Sequence, residues 1–280
     1  MREIDAQTIT QAVAGLCVQA NKTLPPDVEE ALRQARRQEP WPLAQKTLQE
    51  LDANLQAAAQ KQLPICQDTG MACVFVRLGQ EVHIAGGSLQ QAIQEGVRQG
   101  YTEGYLRKSV VQDPIRRGNT GDNTPALVTT ELVEGDGFSL TVAPKGFGSE
   151  NMSRIAMLKP ADGREGVEEF ILETVRIAGP NPCPPIVVGV GIGANFDKVA
   201  LLAKEALLRP LNVPNNDPYY AQMEQELLQK INALGIGPAG YGGKTTALGL
   251  AIEAMPTHIA GLPVAVNISC HVTRRATASL

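Results

Sequence analysis

Apolar residues recur with a helical period through the first sixty residues: Ile9, Val13 and Leu16, then Val28, Ala31 and Leu32, then Leu43, Leu48 and Leu51. Pro25 and Pro40 interrupt the pattern and predict separate helices. After Gly70 the period falls to two, and short apolar runs over residues 72–76, 126–133 and 138–143 predict strands, with a helix over 88–106 between them. A second helix is predicted over 164–178. The unbroken apolar run from Ile186 to Val190 predicts a strand buried on both faces. Gly191 and Gly193 then read as a turn into a helix over 197–208, followed by a helix over 217–234 and a last strand over 262–268. The expected fold class is α/β: one domain over 1–280, with a helical segment over 1–60 and a region of mixed sheets flanked by helices over 61–280.

Composition changes this picture little. The 280 residues are 43% hydrophobic with a formal net charge of −4, which gives no sign of nucleic-acid binding. Aromatic residues make up only 4%, so Ala, Val, Ile and Leu must fill the core. No apolar run reaches the ~18 residues of a membrane span, and the first residues lack the basic and apolar regions of a secretory signal. The expected location is the cytoplasm, away from membranes. Five cysteines at wide spacing do not read as a disulfide framework, and a reducing compartment suits thiolate chemistry.

The cysteines divide into two kinds. Cys17 lies in the helical pattern with Val13 and Leu16, and Cys73 in the strand-like run 72–76, where a thiol acts as a small hydrophobe. Cys66, in Pro-Ile-Cys-Gln-Asp-Thr-Gly, Cys183, in Asn-Pro-Cys-Pro-Pro, and Cys270, in Ile-Ser-Cys-His, stand where neither helix nor strand is expected. These three lie 117 and 87 residues apart, which excludes local zinc-ribbon and ferredoxin spacings. Three thiolates on an iron–sulfur cluster would leave one iron open to substrate, which it would polarise as a Lewis acid. The competing reading is five scattered buried thiols.

Other motifs carry less. Gly237 to Thr245 resembles a phosphate-binding loop, but Pro238 stands where its first glycine belongs; a glycine loop opening a helix, with Lys244 available to an anion, is expected instead. Gly189-Val190-Gly191-Ile192-Gly193 lacks the spacing of a dinucleotide fingerprint. Gln67, Asp68 and Thr69 place an amide, a carboxylate and a hydroxyl in one turn beside Cys66, as a site for an oxygen-rich substrate needs, although Asp68 also suits an Asx-turn. His258 can serve as acid, base or structural group, and His271 is read as structural. Arg107, placed at the end of the predicted 88–106 helix, can grip a carboxylate or merely balance the helix dipole. The loop 143–151, with Gly146 and Gly148, can present backbone N–H groups to a carboxylate or be a plain turn.

Taken in order, Cys-Gln-Asp-Thr-Gly (66–70), Leu-Arg-Lys-Ser (106–109), Asn-Thr-Gly-Asp-Asn-Thr-Pro (119–125), Lys-Gly-Phe-Gly-Ser-Glu-Asn-Met (145–152), Asn-Pro-Cys-Pro-Pro (181–185), Gly-Gly-Lys-Thr-Thr (242–246) and Pro-Thr-His-Ile-Ala-Gly-Leu-Pro (256–263) resemble the class I, iron–sulfur fumarate hydratases from about residue 5 onward. The chain looks like the α subunit, or amino-terminal catalytic half. One departure is Phe147, where that family usually has glycine. The resemblance implies a 4Fe-4S cluster on Cys66, Cys183 and Cys270. Asp68 and His258 are implied as catalytic residues, and Gln67, Arg107 and Gly146 or Gly148 as contacts to a small dicarboxylate. It also implies a separate β subunit that brings the proton-abstracting threonine, a higher-order oligomer, and little turnover by this chain alone. The alternatives are an L-tartrate dehydratase α subunit and, from another class, a non-catalytic cluster-binding or oxygen-sensing protein.

Overall fold

The computed structural model describes residues 2–280. In chain order, β1 (Arg2–Asp5) leads to α1 (Ala6–Lys22), α2 (Pro26–Gln38) and α3 (Pro42–Lys61). There follow β2 (Met71–Gly79), β3 (Val82–Ala85), α4 (Leu89–Glu103), β4 (Leu127–Val133) and β5 (Phe138–Lys145). A single turn, α5 (Phe147–Glu150), precedes β6 (Arg154–Leu158), α6 (Gly163–Ala178), β7 (Ile186–Ala194) and α7 (Phe196–Ala206). The chain closes with α8 (Pro218–Asn232), β8 (Ala247–Thr257), β9 (Leu262–Ser269) and β10 (Ala276–Ser279). It is a mixed α and β protein, and no described helix is long and apolar enough to cross a membrane.

The chain divides into two units. The first holds the residues up to Pro25, Leu55–Phe147 and Arg274–Leu280. Its four-stranded sheet has the order β10-β5-β2-β4, with β2 parallel to β4 and antiparallel to β5. Val74, Val76, Leu140 and Val142 present one apolar face to α1 and α4, whose Ile9, Val13, Ile93, Val97 and Tyr101 are buried against it. Each large apolar side chain removed from water there contributes about 1.5–3 kcal/mol. The two helices meet at backbone distance because a Cβ at Gly96 would lie 2.6 Å from the Thr10 carbonyl oxygen.

The second unit holds Pro26–Asn54 and Gly148–Thr273. Its sheet runs β6-β9-β7-β8, with β7 parallel to β8 and antiparallel to β9. One face packs Val188, Val190, Ile252 and Val266 against Ile171 and Val175 of α6 and Leu227 and Ile231 of α8. On the other face α7 lies so close that a Cβ at Gly189 or Gly191 would collide with the carbonyl oxygens of Ala203 or Val199. Gly189 and Gly191 therefore serve helix packing, and Gly191 and Gly193 both lie inside β7; they do not form the turn expected from the sequence.

Two further boundaries differ from expectation. The glycine-rich stretch up to Thr245 leads into strand β8, not a helix. The helix expected over 88–106 stops at Glu103, and Tyr105 adopts a left-handed φ of 52°. Arg107 thus lies beyond the helix, in a stretch with no regular structure, and the last turn of α4 contains no basic residue. Its reading as a dipole-balancing cation falls away.

Candidate active site

In the first unit the irregular stretch between α3 and β2 places Cys66, Gln67 and Asp68 in one turn. Cys66 Sγ accepts the Asp68 N–H at 3.4 Å and lies 3.5 Å from Gln67 Oε1. Asp68 is the Asx-turn residue, its Oδ1 accepting the Gly70 N–H at 3.0 Å. Its Oδ2 also accepts the Phe147 N–H at 3.0 Å, so the carboxylate ties the 66–70 turn to the loop after β5. A Cβ at Gly146 would sit 3.0 Å from Asp68 Oδ2, and one at Gly70, where φ is 74°, would sit 2.8 Å from the Lys145 carbonyl carbon. Glycine at both positions lets the two loops touch. Gly148, in the second unit, faces open space. The half-exposed Phe147 uses only its backbone here, so the departure from glycine leaves this N–H contact intact.

Buried side chains from distant segments hold the turn. Arg274, 6% exposed, donates through Nη2 to the Asp68 carbonyl and through Nε to the Pro144 carbonyl at 3.5 Å. The Tyr101 hydroxyl donates to the carbonyls of Thr69 at 2.7 Å and Gly70 at 3.1 Å. Thr69 Oγ1 donates to the Arg107 carbonyl at 2.9 Å, and the Arg107 side chain is left exposed. Arg274 and Tyr101 were not legible in the sequence as site residues, although Arg274 lies only four positions after Cys270; Thr69 was legible through its hydroxyl in the turn beside Cys66.

The second unit carries Cys183, Cys270 and His258. Cys183 is exposed, in a tight turn with φ 54° just before β7. Cys270 directly follows β9, and because Val187 pairs with Ser269 the two cysteines share one end of the sheet. His271 Nδ1 lies 3.0 Å from the Cys183 carbonyl oxygen, a bond that fits its structural reading. His258 lies in the β8–β9 turn, at the other end, where Nδ1 accepts the Ala260 N–H at 3.2 Å. The eight residues of β9 separate it from Cys270 by roughly 25 Å. Among the described residues no three His, Cys, Asp or Glu side chains are grouped as a metal site.

The donor chemistry nonetheless separates the five thiols. Cys17 and Cys73 are 0% and 3% exposed within the core, and burial pushes the Cys17 thiol up to about 12. Such a thiol is a poor source of thiolate. Cys66, Cys183 and Cys270 stand on irregular, accessible backbone, and the N–H on Cys66 Sγ is of the kind that stabilises a metal thiolate. These three fit an iron–sulfur group; the two core cysteines do not.

The glycine loop before β8 is already filled. Glu39, 3% exposed, accepts the Lys244 N–H at 2.9 and 3.0 Å on its two oxygens, the Thr245 N–H at 2.9 Å and the Trp41 N–H at 3.2 Å. A Cβ at Gly243 would come within 2.9 Å of Glu39 Oε1. The backbone N–H groups of Lys244 and Thr245, which a phosphate-binding loop would turn toward its ligand, are occupied by the protein's own carboxylate.

Residues 10–279 match the protein family described as Fumarate hydratase (Fumerase). The chain is 42% identical over 274 residues to a putative L(+)-tartrate dehydratase subunit alpha of Methanocaldococcus jannaschii, covering 96% of each protein. It is 32% identical over 272 residues to the L(+)-tartrate dehydratase subunit alpha of Escherichia coli strain UTI89, covering 96% of this chain and 89% of the relative. The corresponding protein of Escherichia coli strain K12 is 31% identical over the same length.

Proposed function

We propose, because the chain belongs to the fumarate hydratase (Fumerase) family, that it is the cluster-bearing α subunit of a two-subunit enzyme interconverting fumarate and L-malate. Membership makes it a hydro-lyase. The observation that supports the finer reading is the division of the thiols, three on accessible irregular backbone and two in the core. Cys66, Cys183 and Cys270 would hold a 4Fe-4S cluster in the reducing cytoplasm. When bound, such a cluster supplies an iron that acts as a Lewis acid toward a substrate oxygen.

The chain's own residues would do the rest. Arg107 would hold one substrate carboxylate through its guanidinium fork, and Gln67 would donate its amide to a substrate oxygen. Asp68, gripped by two N–H groups from two loops, would present its carboxylate in one orientation for proton transfer. Gly146, where a Cβ would lie 3.0 Å from Asp68 Oδ2, would be the glycine of the loop that offers its backbone to substrate. His258 would reach a cluster only on another copy of the chain, since it lies at the opposite end of the sheet from Cys183 and Cys270. The relatives named "subunit alpha" support a β-type partner that completes the site.

L-tartrate is the second reading, favoured by the names of those relatives. The motifs Lys-Gly-Phe-Gly-Ser-Glu-Asn-Met and Gly-Gly-Lys-Thr-Thr resemble the fumarate branch more closely and support placing fumarate first. Measuring kcat/KM for L-malate and L-tartrate with the reconstituted two-subunit enzyme decides between them. Preference for malate is expected, and a tenfold or greater preference for tartrate would reverse the assignment.

A further inference from the structure

The motif at 119–125 has no part in the site described so far, yet its Asn123 is completely buried. It has a left-handed φ of 65°, a conformation that asparagine tolerates and β-branched residues avoid. Its side chain makes three hydrogen bonds. Oδ1 accepts the Ser109 N–H at 2.7 Å and the Val110 N–H at 3.2 Å, while Nδ2 donates to the Gly70 carbonyl at 3.1 Å. One side chain thus joins the turn that carries Asp68 to the stretch that carries Arg107.

That stretch is also held at its far end, where Val110 O accepts the Thr120 N–H at 3.0 Å and hydroxyl at 3.3 Å and Val111 bridges Asn119. Residues 107–110 belong to no helix or sheet, so their main-chain groups must find partners elsewhere. Arg107 O accepts from Thr69 Oγ1 and Lys108 O from Asn119 Nδ2 at 3.1 Å, while the N–H groups of Ser109 and Val110 go to Asn123. Asn123 itself is kept from swinging by the adjacent Asp122, whose carboxylate accepts the Thr124 N–H and hydroxyl and pairs with Arg98 at 3.0 Å.

We infer that Asn123 is a positioning residue: it sets the distance and orientation of Arg107 relative to Asp68, and so the grip on a substrate carboxylate. The inference rests on the reading of Arg107 as a substrate contact. An exposed arginine on irregular backbone loses affinity through loss of orientation when its anchor goes. Asn123→Asp keeps the size, the left-handed backbone and the acceptor for Ser109 and Val110, but sets an acceptor against the Gly70 carbonyl.

The test is a double-mutant cycle in the cluster-loaded two-subunit enzyme, with Asn123→Asp, Arg107→Ala and both together. Asn123→Asp is expected to raise KM for malate about tenfold, the equivalent of one lost charge-assisted contact, with kcat changed much less. It is expected to add nothing in the Arg107→Ala background. Thr69→Val, which removes the other tie to Arg107, should behave the same way and serves if Asn123→Asp does not fold. Amide hydrogen exchange over residues 106–111 should quicken in both variants. Full additivity with Arg107→Ala, or unchanged exchange over 106–111, overturns the positioning role alone. If Arg107→Ala leaves KM unchanged, the substrate role of Arg107 fails, and the positioning role fails with it.

Discussion

Glu39→Gln perturbs the buried carboxylate that organises the loop before β8. Three backbone donors, from Trp41, Lys244 and Thr245, converge on its two oxygens. In glutamine one oxygen becomes an NH2 group, and either amide orientation turns that group toward an N–H. One buried donor is then orphaned, at about 1–3 kcal/mol, and the remaining bonds fall from charge-assisted to neutral strength, at about 1 kcal/mol each. The sum is about 3–5 kcal/mol, or a fall in Tm of roughly 6–20 °C. The assay is thermal and urea unfolding of both proteins across pH. Burial by itself would raise the Glu39 carboxyl, but the N–H groups of Lys244, Trp41 and Thr245 outweigh it and hold the group below the ordinary 4.5. A depressed folded value means that the stabilisation is complete above about 4.5 and is lost as pH falls through the lower folded value. The gap between the proteins should therefore be constant near neutrality and close in acid. A loss under about 1 kcal/mol, or a gap that does not change with pH, would refute this reasoning.

Gly146→Val should push Asp68 off the Phe147 N–H and lower kcat/KM at least tenfold, whereas Gly148→Ala, facing open space, should change it less than twofold; steady-state assays of both variants check the contrast. Arg274→Met keeps bulk but removes the donors to the Asp68 and Pro144 carbonyls, so unfolding stability should drop by about 2 kcal/mol and exchange at the amides of residues 68–70 should quicken. Exposure to air should abolish hydratase activity, and iron with a reductant should restore it, because the proposed open iron has no protein thiolate; full activity after prolonged exposure to air would count against that iron.

Periodic elements were the legible part of the fold. The buried stripe Ile9, Val13, Leu16 and the apolar run at 186–190 announced α1 and β7 because their patterns are local. β8 was missed because Ala-Leu-Gly-Leu-Ala follows a glycine loop and carries no β-branched signal until Ile252. The short β6 and β10 take their strand character from pairing with β9 and β5, which no local pattern encodes. The same contrast holds at the site. Cys66, Cys183 and Cys270 stood out because proline and polar neighbours excluded them from a periodic core. Asn123, Tyr101 and Arg274 act on main-chain carbonyls 53, 31 and 206 residues away in sequence, and Glu39 on amides 205 and 206 residues away. Contacts of that range follow from topology, which the sequence pattern does not express.

The most direct test of the cluster assignment is iron and acid-labile sulfide per chain after anaerobic purification, in the native protein and in Cys66→Ser, Cys183→Ser, Cys270→Ser, Cys17→Ser and Cys73→Ser. About four of each per native chain, lost in the first three variants and kept in the last two, is the expected result. A native chain without sulfide, or equal dependence on Cys17 and Cys73, would contradict it.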